Sequence, residues 1–281
     1  EIFLLSLPVM LSVAGFAGYL LARGSLAPIA GMTAQAERIS AENLDERLPV
    51  KNKSDELGEL ARVFNDLLAR IGEACWGAAV APGSDLQLVR VRAAVSGLLD
   101  ADLVTGLLDG STVPEGLVVD AELRWHVVRR LAARGLLGED AVAEELARDR
   151  TASGQLQAEA ALASLPDADV KERSWAALAG GAVTTAQART MGGAFWQRGQ
   201  AELGEPYVDR YLSAVPGFWR DLSPILAQYL TLFLFPTTLV RPDVAERVRA
   251  LLAEDLPAGA RRVLLEQLDD LERALRAQQA R

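Results

Sequence analysis

Histidine and cysteine, which often act as nucleophiles, proton carriers or metal ligands, are scarce in this chain. Its 281 residues include one histidine, His126, and one cysteine, Cys75. Because a zinc site usually takes several histidine or cysteine ligands, this supply excludes most zinc sites. A single cysteine also excludes a disulfide within the chain, which fits a reducing compartment. We therefore predict no catalytic residue, no metal ligand and no cofactor in this chain.

The surroundings of these two residues favour structural roles. His126 lies in the segment LRWHVVRRL, on an apolar helix face with arginines beside it. Cys75 is flanked by Ala, Trp and Gly. These contexts are typical of a structural or exposed histidine and of a packed thiol.

The composition favours helices and disfavours nucleic acid as a partner. Half of the residues are hydrophobic, and alanine and leucine are more frequent than β-branched or aromatic residues, so we predict an all-α protein. The formal net charge is −9, with an isoelectric point near 4.9. Binding to phosphate backbones needs clustered lysine and arginine, so an acidic chain of this kind is not expected to bind nucleic acid.

An uncharged segment stands at the start of the chain. Residues 2–22, IFLLSLPVMLSVAGFAGYLLA, are long enough to cross a bilayer core as a helix. The basic start and the cleavage site of a signal peptide are missing, which favours a transmembrane helix over residues 1–22. Basic residues from Arg23 onward follow this segment, and only Glu1 precedes it. Because positive charge marks the cytoplasmic side, we predict a single-pass protein of the cell membrane, with residues 23–281 in the cytoplasm and the lipid bilayer as a partner.

Two helical patterns follow, separated by a polar connector. Their apolar residues recur in steps of three and four, which is the a/d spacing of a coiled coil. One chain alone would leave both apolar stripes in water, so we expect a homodimer that forms a parallel four-helix bundle. The stripes are Ile29, Met32, Ala36 and Ile39 in the first helix and Leu57, Leu60, Phe64, Leu67 and Ile71 in the second.

A proline in the first helix, Pro28, is followed by the connector NLDERLPV at residues 43–50 and by Asp55, Glu56 and Gly58 at the start of the second helix. With this motif, residues 23–72 resemble a HAMP linker, the module that follows the last membrane helix of sensor histidine kinases and chemoreceptors. The resemblance implies a dimeric relay whose core is formed by the two apolar stripes. A complete kinase is not expected, because the ATP-binding boxes are missing and His126 lacks the neighbours of a phospho-accepting histidine.

The remainder, residues 73–281, is predicted to be a succession of helices separated by glycine and proline. Amphipathic helix pairs without a sharp repeat signature are typical of an irregular α-solenoid of the HEAT or armadillo type. The predicted buried faces include Leu123, Val127 and Leu131; Val244, Val248, Leu251 and Leu252; and Leu264, Leu268, Leu271 and Leu275.

Two details of this half concern prolines. The pair Pro216 and Gly217 predicts a break between helices. Residues 225–235, ILAQYLTLFLF, lie between Pro224 and Pro236 and are strongly apolar. This stretch is too short to cross a bilayer, so we predict a buried core helix.

Several segments of this half together resemble the C-terminal helical domain of actinobacterial-type aminopeptidase N, a zinc-dependent gluzincin. They are CWGAAVAPGSDLQLVRVRA (75–93), GLLDG (106–110), DAELRWHVVRRLAARG (120–135), EELARDRTASGQLQA (144–158), DVKERSWAAL (169–178) and PYVDRYL (206–212).

The resemblance implies a non-catalytic part of a zinc peptidase. In that family an H-E-x-x-H helix and a downstream glutamate bind zinc, and the glutamate of the motif activates water. This chain has one histidine and no such motif, so peptide hydrolysis by the chain alone is not expected. The family also implies that the helical domain covers the catalytic site and helps to select peptides by size. Its partners would be peptides or a separate catalytic half.

Three functions remain open at this point. The first hypothesis is that the chain is the helical domain of an aminopeptidase carried on an unrelated membrane linker, as a fragment or a gene fusion. The abrupt change of character between Ile71 and Cys75 and the start at Glu1 favour this hypothesis. The alternative is a signal-transduction adaptor in which a HAMP relay positions a solenoid that binds peptides or proteins. A third is a scaffold solenoid held at the membrane without a signalling role.

Overall fold

The structure is a computed structural model that describes residues 80–97 and 100–279. It also describes six positions further upstream, Glu59, Leu60, Arg62, Val63, Leu67 and Trp76. No strand occurs within these residues, which confirms the all-α class. The first six helices are α1 (Asp85–Gly97), α2 (Ala101–Asp109), α3 (Ala121–Ala133), α4 (Glu139–Arg148), α5 (Ala152–Ser164) and α6 (Ala168–Ala179). The next six are α7 (Thr185–Phe195), α8 (Ala201–Gly204), α9 (Pro206–Asp221), α10 (Pro224–Phe233), α11 (Pro242–Leu252) and α12 (Ala258–Gln279).

Short polar side chains and prolines set the starts of most of these helices. The side chain of Asp120 accepts a hydrogen bond from the backbone N–H of Leu123 at the start of α3. Thr184 and Gln187 form a reciprocal capping box at the start of α7. Proline occupies the first position of α9, α10 and α11, where its missing N–H costs no helical hydrogen bond. The helix starts are therefore encoded locally in the sequence.

The helices form two stacked rows. In one row α1, α3, α5 and α7 each pack on the next-but-one helix of the chain. The row continues with α10, which packs on α7 three helices before it, and with α12, which packs on α10. The intervening helices α2, α4 and α6 pack against their neighbours in that row, and α9 and α11 cover α10 and α12. Since the main contacts of the described helices join elements one to three positions apart along the chain, the arrangement is α-solenoid-like.

The predicted buried faces agree with the observed core. Leu123, Val127 and Leu131 are fully buried, as are Val244 and Val248, and all four predicted leucines of α12 are buried. Leu251 is buried too, whereas Leu252 is half-buried at the edge of the core. The apolar stretch at residues 225–235 forms α10 and the two residues that follow it, and Leu230, Leu234 and Phe235 lie in the core. The prediction of a core helix there is confirmed.

The break predicted at Pro216 and Gly217 is wrong. Both residues lie inside α9, which runs without interruption from Pro206 to Asp221. Proline removes one backbone hydrogen bond, but the flanking residues Val215 and Phe218 are buried in the core. Burial of this face favours the continuous helix over the local preference of proline.

The predicted cell-membrane location, with residues 23–281 in the cytoplasm, is contradicted. Among the helices that the structure describes, none combines the length and the apolar composition needed to cross a bilayer. The apolar helix α10 has only 10 residues, and the 22-residue helix α12 carries charged residues along its length. The segment predicted to span the membrane, residues 2–22, lies outside the described residues.

Candidate functional site

A buried lysine joins the ends of two helices. Lys171 stands in the first turn of α6, and only 2% of its surface is exposed. Its Nζ donates a hydrogen bond to the carbonyl oxygen of Ala163 at 2.7 Å, near the end of α5, and another to the carbonyl oxygen of Phe195 at the end of α7. The same Nζ lies 4.8 Å from the centre of the Phe195 ring. One side chain therefore satisfies carbonyl groups that helix ends leave without a backbone partner.

Burial changes the protonation of this lysine. It lowers the pKa of Lys171 from an ordinary 10.5 to about 7, since a charged amine is disfavoured away from water. The carboxyl ends of α5 and α7 carry partial negative charge, which favours a cation at this position. Lys171 is therefore held by carbonyl oxygens and an aromatic ring rather than by a carboxylate.

Two further side chains cap helix ends at the same place. The amide nitrogen of Gln200 donates to the carbonyl oxygens of Ala133 and Ser164, each at 2.9 Å. The indole N–H of Trp196 donates to the carbonyl oxygen of Leu234 at 2.9 Å. These bonds connect the carboxyl ends of α3, α5, α7 and α10. We call this region, with Lys171, Trp196 and Gln200, the carboxyl-end edge.

An open cleft lies next to this edge. It has a volume of about 480 Å³. Its lining residues Arg198 and Ala201 flank Gln200 in the chain, so the cleft lies beside the carboxyl-end edge. On the rim of the cleft, Arg241 pairs with Glu205 at 2.6 Å and with Asp243 at 2.9 Å. These carboxylates raise the pKa of Arg241. We call this cleft the edge cleft; it is lined by Arg198, Ala201, Thr237, Thr238, Leu239, Val240, Arg241 and Gln278.

No group of three or more His, Cys, Asp or Glu side chains suited to a metal ion occurs among the residues that the structure describes. His126 is half-buried, and its Nε2 lies 3.1 Å from the hydroxyl of Ser96 and 3.3 Å from the carbonyl oxygen of Arg92. Lys171 is enclosed by the helix ends that it caps, so no substrate reaches it.

The residues predicted as HAMP sites are not part of the carboxyl-end edge. Leu60 and Leu67 are helical, and they are 53% and 50% exposed. The prediction that they pack in a dimeric core therefore remains a prediction. The other HAMP residues lie outside the described part of the chain: Pro28, Asp55, Glu56, Gly58, Ile29, Met32, Ile39, Leu57, Phe64 and Ile71.

Sequence reasoning missed Lys171 and Gln200. A signal for Lys171 was present, because it stands on the same helix face as Ser174, Trp175 and Leu178, all of which are buried. A lysine on the apolar stripe of a helix is unusual and indicates a buried amine. No comparable signal marks Gln200, which stands in a loop and reaches Ala133, 67 positions earlier in the chain.

Comparison with known proteins identifies similar chains. A family model described as ERAP1-like C-terminal domain matches residues 28–273. Among curated proteins, aminopeptidase N of Streptomyces lividans is 38% identical over 203 residues, which cover 70% of this chain and 24% of that protein. The chain therefore spans about a quarter of the length of this relative. Both findings agree with the resemblance to the C-terminal helical domain of aminopeptidase N.

Proposed function

The chain belongs to the ERAP1-like C-terminal domain family, and we propose that it is the non-catalytic helical part of an aminopeptidase N-like zinc metallopeptidase. In this proposal it covers the substrate cavity of a catalytic half that supplies the zinc site. Its partners are that catalytic half and the peptides that enter the cavity. The zinc ion, bound in the catalytic half, would supply activation of water.

The observation that carries this proposal is the match to the family model over residues 28–273, in a chain with one histidine. The matched region includes almost the whole described solenoid. An H-E-x-x-H motif needs two histidines, so this chain cannot form one. Its contribution must therefore lie in binding and in shape rather than in the chemical step.

The carboxyl-end edge supports a role as a rigid cover. Lys171, Trp196 and Gln200 tie the ends of four helices together through buried hydrogen bonds. Such bonds resist shear between neighbouring helices, because each slip would leave buried carbonyl groups without a partner. A cover of this kind keeps its shape when a substrate enters.

The edge cleft is a suitable place for contact with a peptide. Thr237 and Thr238 offer hydroxyl groups next to the apolar residues Leu239 and Val240, while Arg241 on the rim is held by Glu205 and Asp243. A peptide backbone needs donors and acceptors of this kind, and its side chains need apolar contact. We therefore place the peptide-facing side of the cover at this cleft.

An assay of the isolated chain tests the non-catalytic role. We expect the purified chain to bind no stoichiometric zinc and to release no amino acid from peptides, because the ligand set of a zinc peptidase is missing. Streptomyces lividans aminopeptidase N, treated in the same buffer, serves as the positive control. Peptide turnover by the chain alone that a chelator abolishes would overturn the proposal.

A further inference from the structure

An open groove lies between α9 and α11, and its volume is about 290 Å³. It shares no lining residue with the edge cleft, so the two are separate surfaces of the protein. We call this space the α9–α11 groove. It is lined by Leu212, Ser213 and Pro216 from α9 and by Arg247, Leu251 and Glu254 from α11 and the turn that follows it.

Pro216 leaves one backbone acceptor of α9 without its helical partner. Within an α-helix the carbonyl oxygen of Leu212 would accept a hydrogen bond from the N–H of residue 216, but proline has no N–H. Leu212 and Pro216 flank this gap in the hydrogen-bond ladder, and both line the α9–α11 groove. Ser213, which is exposed, adds a hydroxyl group. The groove therefore offers oxygen acceptors on its α9 side.

Glu254 gives the groove a negative charge. The guanidinium of Arg247 is already engaged, because it pairs with Asp209 at 3.1 Å and with Asp243 at 2.9 Å. Arg261 donates to the backbone carbonyl oxygen of Glu254 at 2.9 Å and not to its carboxylate. Among the residues that the structure describes, none forms an ion pair with the carboxylate of Glu254. The charge of the groove is therefore complementary to a cation.

We propose that the α9–α11 groove binds a basic side chain, lysine or arginine, of a polypeptide partner. The methylene stem of this side chain lies on the apolar surface of Pro216 and Leu251, as long basic side chains do elsewhere. Its charged head group donates to the carboxylate of Glu254 and to the carbonyl oxygen of Leu212. A neutral side chain of similar length leaves these acceptors unpaired. This site is independent of the proposed function.

Blocked tripeptides test the site. Three peptides with lysine, arginine or methionine between two glycines, acetylated and amidated so that the side chain carries their charge, are titrated separately into the full chain. Backbone amide signals of α11 in NMR follow the binding. We expect the basic peptides to bind about fivefold more tightly than the methionine peptide, because an exposed ion pair has a contribution of this size. The tighter of the two basic peptides identifies the preferred cation, ammonium or guanidinium.

A pair of matched variants tests the charge. Glu254→Gln is expected to weaken binding of the preferred basic peptide about fivefold, because it removes the ion pair. Asp255→Asn is the control, since it removes one negative charge from the neighbouring residue, which is exposed and does not line the groove. This control is expected to keep the affinity of the unmodified chain.

A third variant tests the backbone acceptor. Pro216→Ala supplies an N–H that bonds the carbonyl oxygen of Leu212 within α9, so the basic peptide is expected to bind about threefold more weakly. Alanine is favourable inside a helix, and this variant is therefore expected to fold.

The proposal is overturned if neither basic peptide binds more tightly than the methionine peptide. It is also overturned if Glu254→Gln or Pro216→Ala binds the preferred basic peptide as tightly as Asp255→Asn does.

Discussion

At the scale of single residues, Lys171 couples the stability of the protein to pH. Its pKa is about 7 in the folded state and near 10.4 in an unfolded chain. Between these two values the unfolded state binds a proton that the folded state does not, so the free energy of unfolding rises with pH. Below pH 7 the cost of charging the buried amine is fully present, and above about pH 10.4 it is absent. The stability contributed by the neutral amine therefore appears as pH rises.

Replacement of Lys171 tests this coupling. In the unmodified protein, the shift contributes about 3 kcal/mol to the rise in unfolding free energy from about pH 7 to about pH 9.5. Lys171→Met keeps a side chain of similar length without a titrating group, so the rise is expected to shrink by that amount. Urea unfolding at both pH values measures it, and Arg150→Met is the control. Equal pH dependence in Lys171→Met and the unmodified protein would contradict the assignment.

The roles of single residues were the least predictable part of the molecule. The position of His126 on an apolar helix face beside arginines was visible in the sequence, and the structure places it half-buried next to Arg92. Lys171 could have been detected from the buried stripe on which it stands. Gln200 could not, because its two acceptors lie at the ends of helices that only the folded chain brings together.

At the scale of helices, one buried ion pair joins three elements. Arg124 on α3 donates to both carboxylate oxygens of Glu145 on α4, at 2.7 and 2.6 Å. Its remaining nitrogen donates to the carbonyl oxygen of Leu108 on α2 at 3.0 Å. Glu145 is only 4% exposed, and Arg148 approaches it no closer than 4.0 Å, so its charge depends mainly on Arg124. The pair is therefore structural, and loss of one member leaves a buried charge behind.

Removal of the arginine is expected to be costly. Arg124→Met should lower the free energy of unfolding by about 3 kcal/mol, because it leaves Glu145 charged and buried. Arg262→Met is the matched control, since Arg262 pairs at 3.4 Å with Glu266 and both side chains are more than half exposed. Its expected effect is below about 1 kcal/mol. Urea unfolding at neutral pH measures both, and similar losses in the two variants would contradict a buried role for the pair.

Helix positions and faces were largely predictable, because caps and apolar spacing are local signals. The leucines of α12 and the core helix at residues 225–235 are found as predicted. Pro216 is the exception. Proline usually ends a helix, but Pro216 lies inside α9, because the residues on either side of it are buried in the core. That helix is continuous because of tertiary packing, which a local sequence pattern does not predict.

At the scale of the whole molecule, the solenoid and the family were predictable, and the cellular location was not. Several long segments agree with the aminopeptidase family, and the family model and the Streptomyces lividans relative confirm this resemblance. The membrane location was inferred from an apolar segment at the start of the chain, and the described helices contradict it.

A chimeric enzyme tests most directly whether this chain is the helical cover of a zinc aminopeptidase. The segment of Streptomyces lividans aminopeptidase N that matches this chain is deleted in one variant and replaced by the corresponding residues of this chain in another. Peptide hydrolysis and zinc content are measured for both and for the parent enzyme. We predict that the chimera binds zinc and recovers the peptide hydrolysis that the deletion loses. A chimera that binds zinc but hydrolyses peptides no faster than the deletion variant would contradict the account.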